Sequence, residues 1–173
     1  YHNLIEFCEM IIGFDEDLES IKKPIAAALA LSGKKLLNDG NPNNTELILQ
    51  VSKKAIELTK QQSRIFIACL DNLLEAGAYA EIKKYIDLVP TDEMSEELAA
   101  IELAVYEKTE DTAHVYVKAQ NLIKSNQVTP NVYLILLRSA KAMGKSKDQL
   151  EDIVYDGVKQ FPELRAQFDQ LLS

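Results

Sequence analysis

Apolar residues return along this chain at intervals of three and four, the period of a helix with one buried face. Leu47, Ile48, Val51, Ala55 and Leu58 form one such stripe, and Phe66, Cys69, Leu70, Leu73 and Leu74 form another. Further stripes are Ile82, Tyr85, Ile86 and Val89, then Leu98, Ile101 and Val105, then Val115, Ala119, Leu122 and Ile123. Leu150, Ile153, Val154, Gly157, Val158 and Phe161 make the last strong one. No stretch alternates with the period of two that a half-buried strand requires. The pattern predicts an all-α protein.

Breakers fall between the stripes. The polar run NDGNPNN (Asn38 to Asn44) carries an Asp-Gly turn signal, Gly77 suits a helix end, and Pro90 and Pro162 stop the helices before them. Thr129 followed by Pro130 reads as an N-cap with proline at the first helical position. Pro24 reads as opening a helix in its first turn. The predicted helices are 1–12, 21–38, 44–60, 63–76, 78–88, 93–108, 111–126, 130–143, 146–160 and 163–172. Connections this short force neighbours to run antiparallel. They pair as hairpins at 21–60, 63–88, 93–126 and 130–161, with 163–172 left as a terminal helix. Starts at Ile21, Ser63, Glu93 and Pro130 recur every few tens of residues, the mark of stacked helical hairpins. The expectation is a single repeat domain over 1–173: an α-α superhelix of about four hairpins with a C-terminal cap helix.

The triplet Gly144-Lys145-Ser146 raises the question of a phosphate loop. That motif needs a glycine five positions earlier and a strand before it, but Ser139 stands there and the preceding residues read as helix. Ser146 with Gln149 fits a capping box, so the triplet is predicted to be a hairpin turn. Catalytic patterns do not emerge elsewhere. His2 and His114 are the histidines, and neither has a histidine or cysteine at helical spacing to form a metal pair. Nucleophile-elbow and Cys-His patterns are missing too. The reading is therefore a non-enzyme without cofactor or metal.

Composition narrows the partners. The 173 residues are 47% hydrophobic and 27% charged, as in a folded soluble domain. A net charge of −8 opposes the phosphate backbone of nucleic acid. Acids crowd 92–111, where Asp92, Glu93, Glu96, Glu97, Glu102, Glu107, Glu110 and Asp111 face one base, Lys108. Such a run reads as a solvated helix face, or as a docking patch for a basic partner. Cys8 and Cys69 both sit among apolar neighbours, which favours buried thiols and a reducing, cytoplasmic setting. No apolar run is long enough for a membrane span. The chain opens on Tyr1, which reads as a piece of a longer protein. The stripe Leu4, Ile5, Cys8, Ile11 and Ile12 is expected to pack on the first hairpin or to drive dimerisation.

Around its last hairpin the chain resembles tetratricopeptide repeats. Pro162 matches the closing proline, Leu134 and Leu137 the large apolar positions, and Gly157 the second small position. Gly77 with Tyr79 matches the glycine-x-aromatic turn, and Ala55 the small position of the first pair. The run SNQVTPNVYLILLRSAKAMGK is also similar to a pentatricopeptide repeat, which implies single-stranded RNA, against the acidic balance. The stretch from Ala26 to Tyr79 resembles the helical C-terminal domain of winged-helix bacterial regulators of the CadC and HilA kind. That implies a regulatory or ligand-sensing domain.

The tetratricopeptide resemblance implies a concave groove lined by the first helix of each pair. Its positions map to Arg64, Ile67, Asp71 and Glu75, and to Val132, Ile135, Ser139 and Ala142. The lysines and asparagines with which the chaperone-binding subclass grips a C-terminal carboxylate are replaced here by Ile67, Asp71, Ile135 and Ser139. The expected function is recognition of a peptide or helix of a protein partner, with Ile67 and Ile135 offering apolar contacts.

Overall fold

The computed structural model describes residues 19–59 and 63–172, together with Glu6 and Met10. Everything described is helix, turn or connector. The helices are α1 (Glu19–Asn38), α2 (Thr45–Glu57), α3 (Arg64–Glu75) and α4 (Tyr79–Ile86), followed by α5 (Glu96–Thr109) and α6 (Thr112–Lys124). Then come α7 (Pro130–Ala142), α8 (Lys147–Gln160) and α9 (Arg165–Leu172). Short 3₁₀ turns at Pro42–Asn44, Thr91–Glu93 and Pro162–Leu164 precede α2, α5 and α9. The protein is all-α, as its periodicity predicts. The amphipathic stripe at 1–12 lies outside the described residues.

Helix ends follow local chemistry. Ser63, Ser95 and Asp111 each accept a hydrogen bond from the backbone amide three residues on, capping α3, α5 and α6. Ser146 and Gln149 close the predicted capping box at α8, with bonds of 3.3 and 3.1 Å. The Gly-Lys-Ser triplet is a hairpin turn: Gly144 ends α7 in the left-handed region (φ 68°), and Lys145 donates back to the Ala140 carbonyl. The same ending recurs after α3 at Gly77 (φ 76°) and after α6 at Asn126 (φ 59°). The pattern predicts a helix through Asn126; a left-handed asparagine stops it at Lys124 instead.

Two expectations about helix starts need correction. Thr129 does not cap α7 through its side chain; its hydroxyl is buried with no hydrogen-bond partner among the described residues. Pro24 does not open α1, which begins at Glu19 and carries the proline in its second turn.

The chain divides into two compact units, one through Glu93 and one from Met94. In the first unit α1 packs on both α2 and α3, α2 on α3, and α3 on α4. Leu29, Val51, Phe66, Leu70, Leu73 and Ile82 are fully enclosed there. Each contributes roughly 1.5–3 kcal/mol relative to an exposed position. Cys69 shares this core, where burial pushes its thiol up to about 12. A small polar knot interrupts the hydrocarbon: Asn72 of α3 donates a 2.9 Å hydrogen bond to the Ala30 carbonyl of α1. Gly33 leaves room for that amide, and a methyl group there would lie 2.8 Å from Asn72 Nδ2.

In the second unit α7 is central, packed against α5, α6, α8 and α9. Leu98, Leu103, Val115, Ile135 and Leu137 fill its core. The terminal helix α9 covers the last hairpin, as expected of a cap. Phe168 inserts among Tyr133, Leu137, Val154 and Leu164, while Arg165 and Asp169 stay outside. Gly157 of α8 admits the Phe168 ring; a methyl group there would approach it to 2.6 Å.

Candidate functional site

Within the first unit, α1 and α3 run side by side in the same direction. Lys22 and Lys23 lie near Ser63 and Ile65, Ala30 faces Asn72, and Lys34 meets Glu75. These are the first helices of consecutive hairpins, and between them runs an open groove of about 460 Å³. The α1 wall is Ala27, Ala30, Leu31 and Lys34, one helix face at spacings of three and four. The α3 wall includes Arg64, Ile65, Ala68, Asp71 and Glu75, again one face. Alanines make the floor low and apolar. Leu31 stands over it 71% exposed, an unusual position for a leucine within a packed helix pair.

Charge is distributed along the groove rather than across it. At the end where α1 and α3 begin, an adjoining recess is lined by Lys22, Lys23, Glu57 and Ile65, next to Arg64. Glu57 sits 3.4 Å from Lys54 on its own helix. Arg64 is exposed and makes no ion pair among the described residues. At the other end Lys34 and Glu75 pair at 2.6 Å, leaving Asp71 without a hydrogen-bond partner among the described residues. Partial burial and the neighbouring Glu75 hold the Asp71 carboxyl above its ordinary range, opposed by Lys34.

Three of the residues mapped onto a groove from the sequence, Arg64, Asp71 and Glu75, line this one. Ile67 does not; it is half-buried on the flank, and Ile65 takes the groove position. The α7 set separates differently. Val132 and Ile135 are completely enclosed, so the apolar contact expected of Ile135 is core packing. Ser139 is 4% exposed, and its hydroxyl donates to the Ile135 and Leu136 carbonyls of its own helix. Ala142 is exposed, and with Ser139, Glu107 and Arg138 it borders a small recess of about 180 Å³. Arg138 there is held bidentately by Glu107 at 2.6 and 2.9 Å.

Those two helices differ because α7 has neighbours on several sides whereas α3 keeps one open face. The NVYLILLRSA run of α7 is apolar nearly all round, the pattern of a surrounded helix, and that signal was available in the sequence. Sequence reasoning also missed the α1 wall. Leu31 lies off the buried stripe of Ala26, Leu29, Ala30, Gly33 and Leu36, and that displacement is what marks it.

Much of the acidic 92–111 segment has structural work. Glu102 pairs with Lys118 at 2.9 Å, Glu107 with Arg138, and Asp111 caps α6. Tyr106 stacks with His114 at 5.7 Å between centroids and carries Lys118 Nζ 3.9 Å from its ring. His114 is exposed at the rim of a shallow recess with Val117 and Asn121. Among the described residues no cluster of histidine, cysteine and carboxylate side chains has metal-binding geometry, and no helix is long and apolar enough to cross a membrane. No family model, curated protein or solved structure matches the chain.

Proposed function

We propose that this chain is a non-catalytic recognition module that receives a helix of a partner protein in the α1–α3 groove. The observation that carries the reading is the apolar strip of Ala27, Ala30 and Ala68 beneath an exposed Leu31, bordered by the charges of Arg64, Asp71 and Glu75. A low floor between two parallel helices accepts the side chains of a third helix, and an exposed leucine beside it supplies an apolar anchor. The tetratricopeptide resemblance supports the same use of first helices.

The test is selection of helical peptides against the whole chain from a displayed library, followed by comparison with Leu31→Asp. Selected peptides should lose about tenfold or more in affinity for that variant. Leu31→Asp should melt like the parent, because the side chain is already exposed. Hydrogen exchange should show protection in α1 and α3 on binding. Peptides that bind parent and variant alike, or protection confined to other helices, would overturn the reading.

A further inference from the structure

The two ends of the groove differ in charge. At the end where α1 and α3 begin stand Lys22, Lys23 and Arg64, with Glu57 as the acid beside them and Lys54 next to it. At the end where the helices finish stand Lys34, Asp71 and Glu75, of which Lys34 and Glu75 satisfy each other. Arg64 and Asp71 are seven residues apart on one face of α3, about 10 Å along the axis. Neither has an ion-pair partner among the described residues. Ala68 lies between them, with Leu31 across the groove.

Resting on the proposed groove, we infer that its occupant is an amphipathic helix lying antiparallel to α1 and α3, with a base near its N-terminal end and an acid two turns later. The acid meets Arg64 and the base meets Asp71, while the apolar residues between them cover Ala68 and Leu31. Helix dipoles favour the same direction. The beginnings of α1 and α3 carry partial positive charge, which attracts the partially negative C-terminal end of an incoming helix. A base-first helix running parallel would set its base against Arg64 and its acid against Asp71, and like charges across an interface reject a partner.

Two designed helical peptides of identical composition separate the possibilities. One carries lysine, then a leucine-alanine face, then glutamate seven residues after the lysine; the other exchanges the lysine and the glutamate. Binding is measured by fluorescence anisotropy with the whole chain at low salt. The glutamate-first peptide can meet both charges only by running parallel, against the helix dipoles. The lysine-first peptide should therefore bind about threefold tighter, a preference that added salt compresses. The double variant Arg64→Asp with Asp71→Arg should reverse the preference while the melting curve stays close to the parent's. Equal affinities that both fall with Leu31→Asp would overturn the polarity and leave the groove reading intact. If neither peptide binds, or Leu31→Asp leaves binding unchanged, the groove reading itself fails. Sedimentation of the unliganded chain adds one more outcome. A dimer dissolved by Leu31→Asp would assign the groove to a second copy and overturn the inference.

Discussion

Asn72 of α3 donates its side-chain amide to the backbone carbonyl of Ala30 on α1, 42 residues earlier and 2.9 Å away. The separation equals the spacing between the first two predicted hairpin starts, Ile21 and Ser63, so one buried bond ties together equivalent helices of consecutive repeats. Asn72→Ala removes it and leaves a small void, at an expected cost of about 1–2 kcal/mol. Gly33→Ala should also destabilise, by about 1 kcal/mol. The gain in helix propensity is smaller than the cost of driving the Asn72 amide from its place. Urea denaturation of both single variants and the double variant checks this. Gly33→Ala should be nearly neutral or stabilising once Asn72 is alanine.

Gly157 and Phe168 make the corresponding fit in the second unit. A methyl group at Gly157 would meet the Phe168 ring at 2.6 Å, and that ring is wholly enclosed. Gly157→Ala should cost about 2 kcal/mol and loosen α9 first. Amide exchange in 165–172 should accelerate more than exchange in α5 or α6. Equal acceleration across the unit would show that α9 is not the yielding element.

The left-handed Asn126 gives a prediction of the opposite sign. Asn126→Gly keeps the backbone bond from Gln127 to the Leu122 carbonyl and removes Cβ strain, for a gain of up to about 0.5 kcal/mol. Asn126→Ala should lose about 1 kcal/mol. Asn126 sits exposed at its turn, so thermal melts read the backbone preference with little packing contribution.

Asp71 makes stability depend on pH. Its folded-state carboxyl is raised, so the folded chain holds that proton more tightly than the unfolded chain does. The stability associated with the proton is complete below the unfolded value and is lost as pH rises through the folded one. Asp71→Asn should therefore be more stable than the parent at neutral pH, with the difference vanishing as acid protonates the parent. Denaturation curves at neutral pH and below the ordinary carboxylate range measure it. A constant difference at both would assign the effect to packing.

How much of this was written in the sequence differs by residue. The helices, the capping box at Ser146 and the Gly77 and Gly144 endings are decided within a few neighbouring residues, and they were legible. Arg64, Asp71 and Glu75 were legible as a face because they lie opposite the buried Phe66, Cys69 and Leu73 on α3. Val132 and Ile135 were misplaced because a stripe identifies a buried face without saying how many neighbours a helix will have. Leu31 is legible as an apolar residue off the buried stripe, but that it borders a groove depends on the position of α3, more than thirty residues away.

The connector between α1 and α2 differs from the other turns. Asp39, Gly40, Asn41, Pro42 and Asn43 are all exposed, and no heavy atom lies within 4 Å of a Cβ placed on Gly40. Both ends are fastened locally, by Asn44 donating to the Leu36 carbonyl and by Asn41 accepting from the Asn43 amide. Extra chain inserted between Asp39 and Gly40 meets no wall, and each doubling of the connector costs only about 0.6 kcal/mol of closure entropy. This is a natural splice point, where a spectroscopic label or a whole guest domain can be grafted while the helices on either side keep their register.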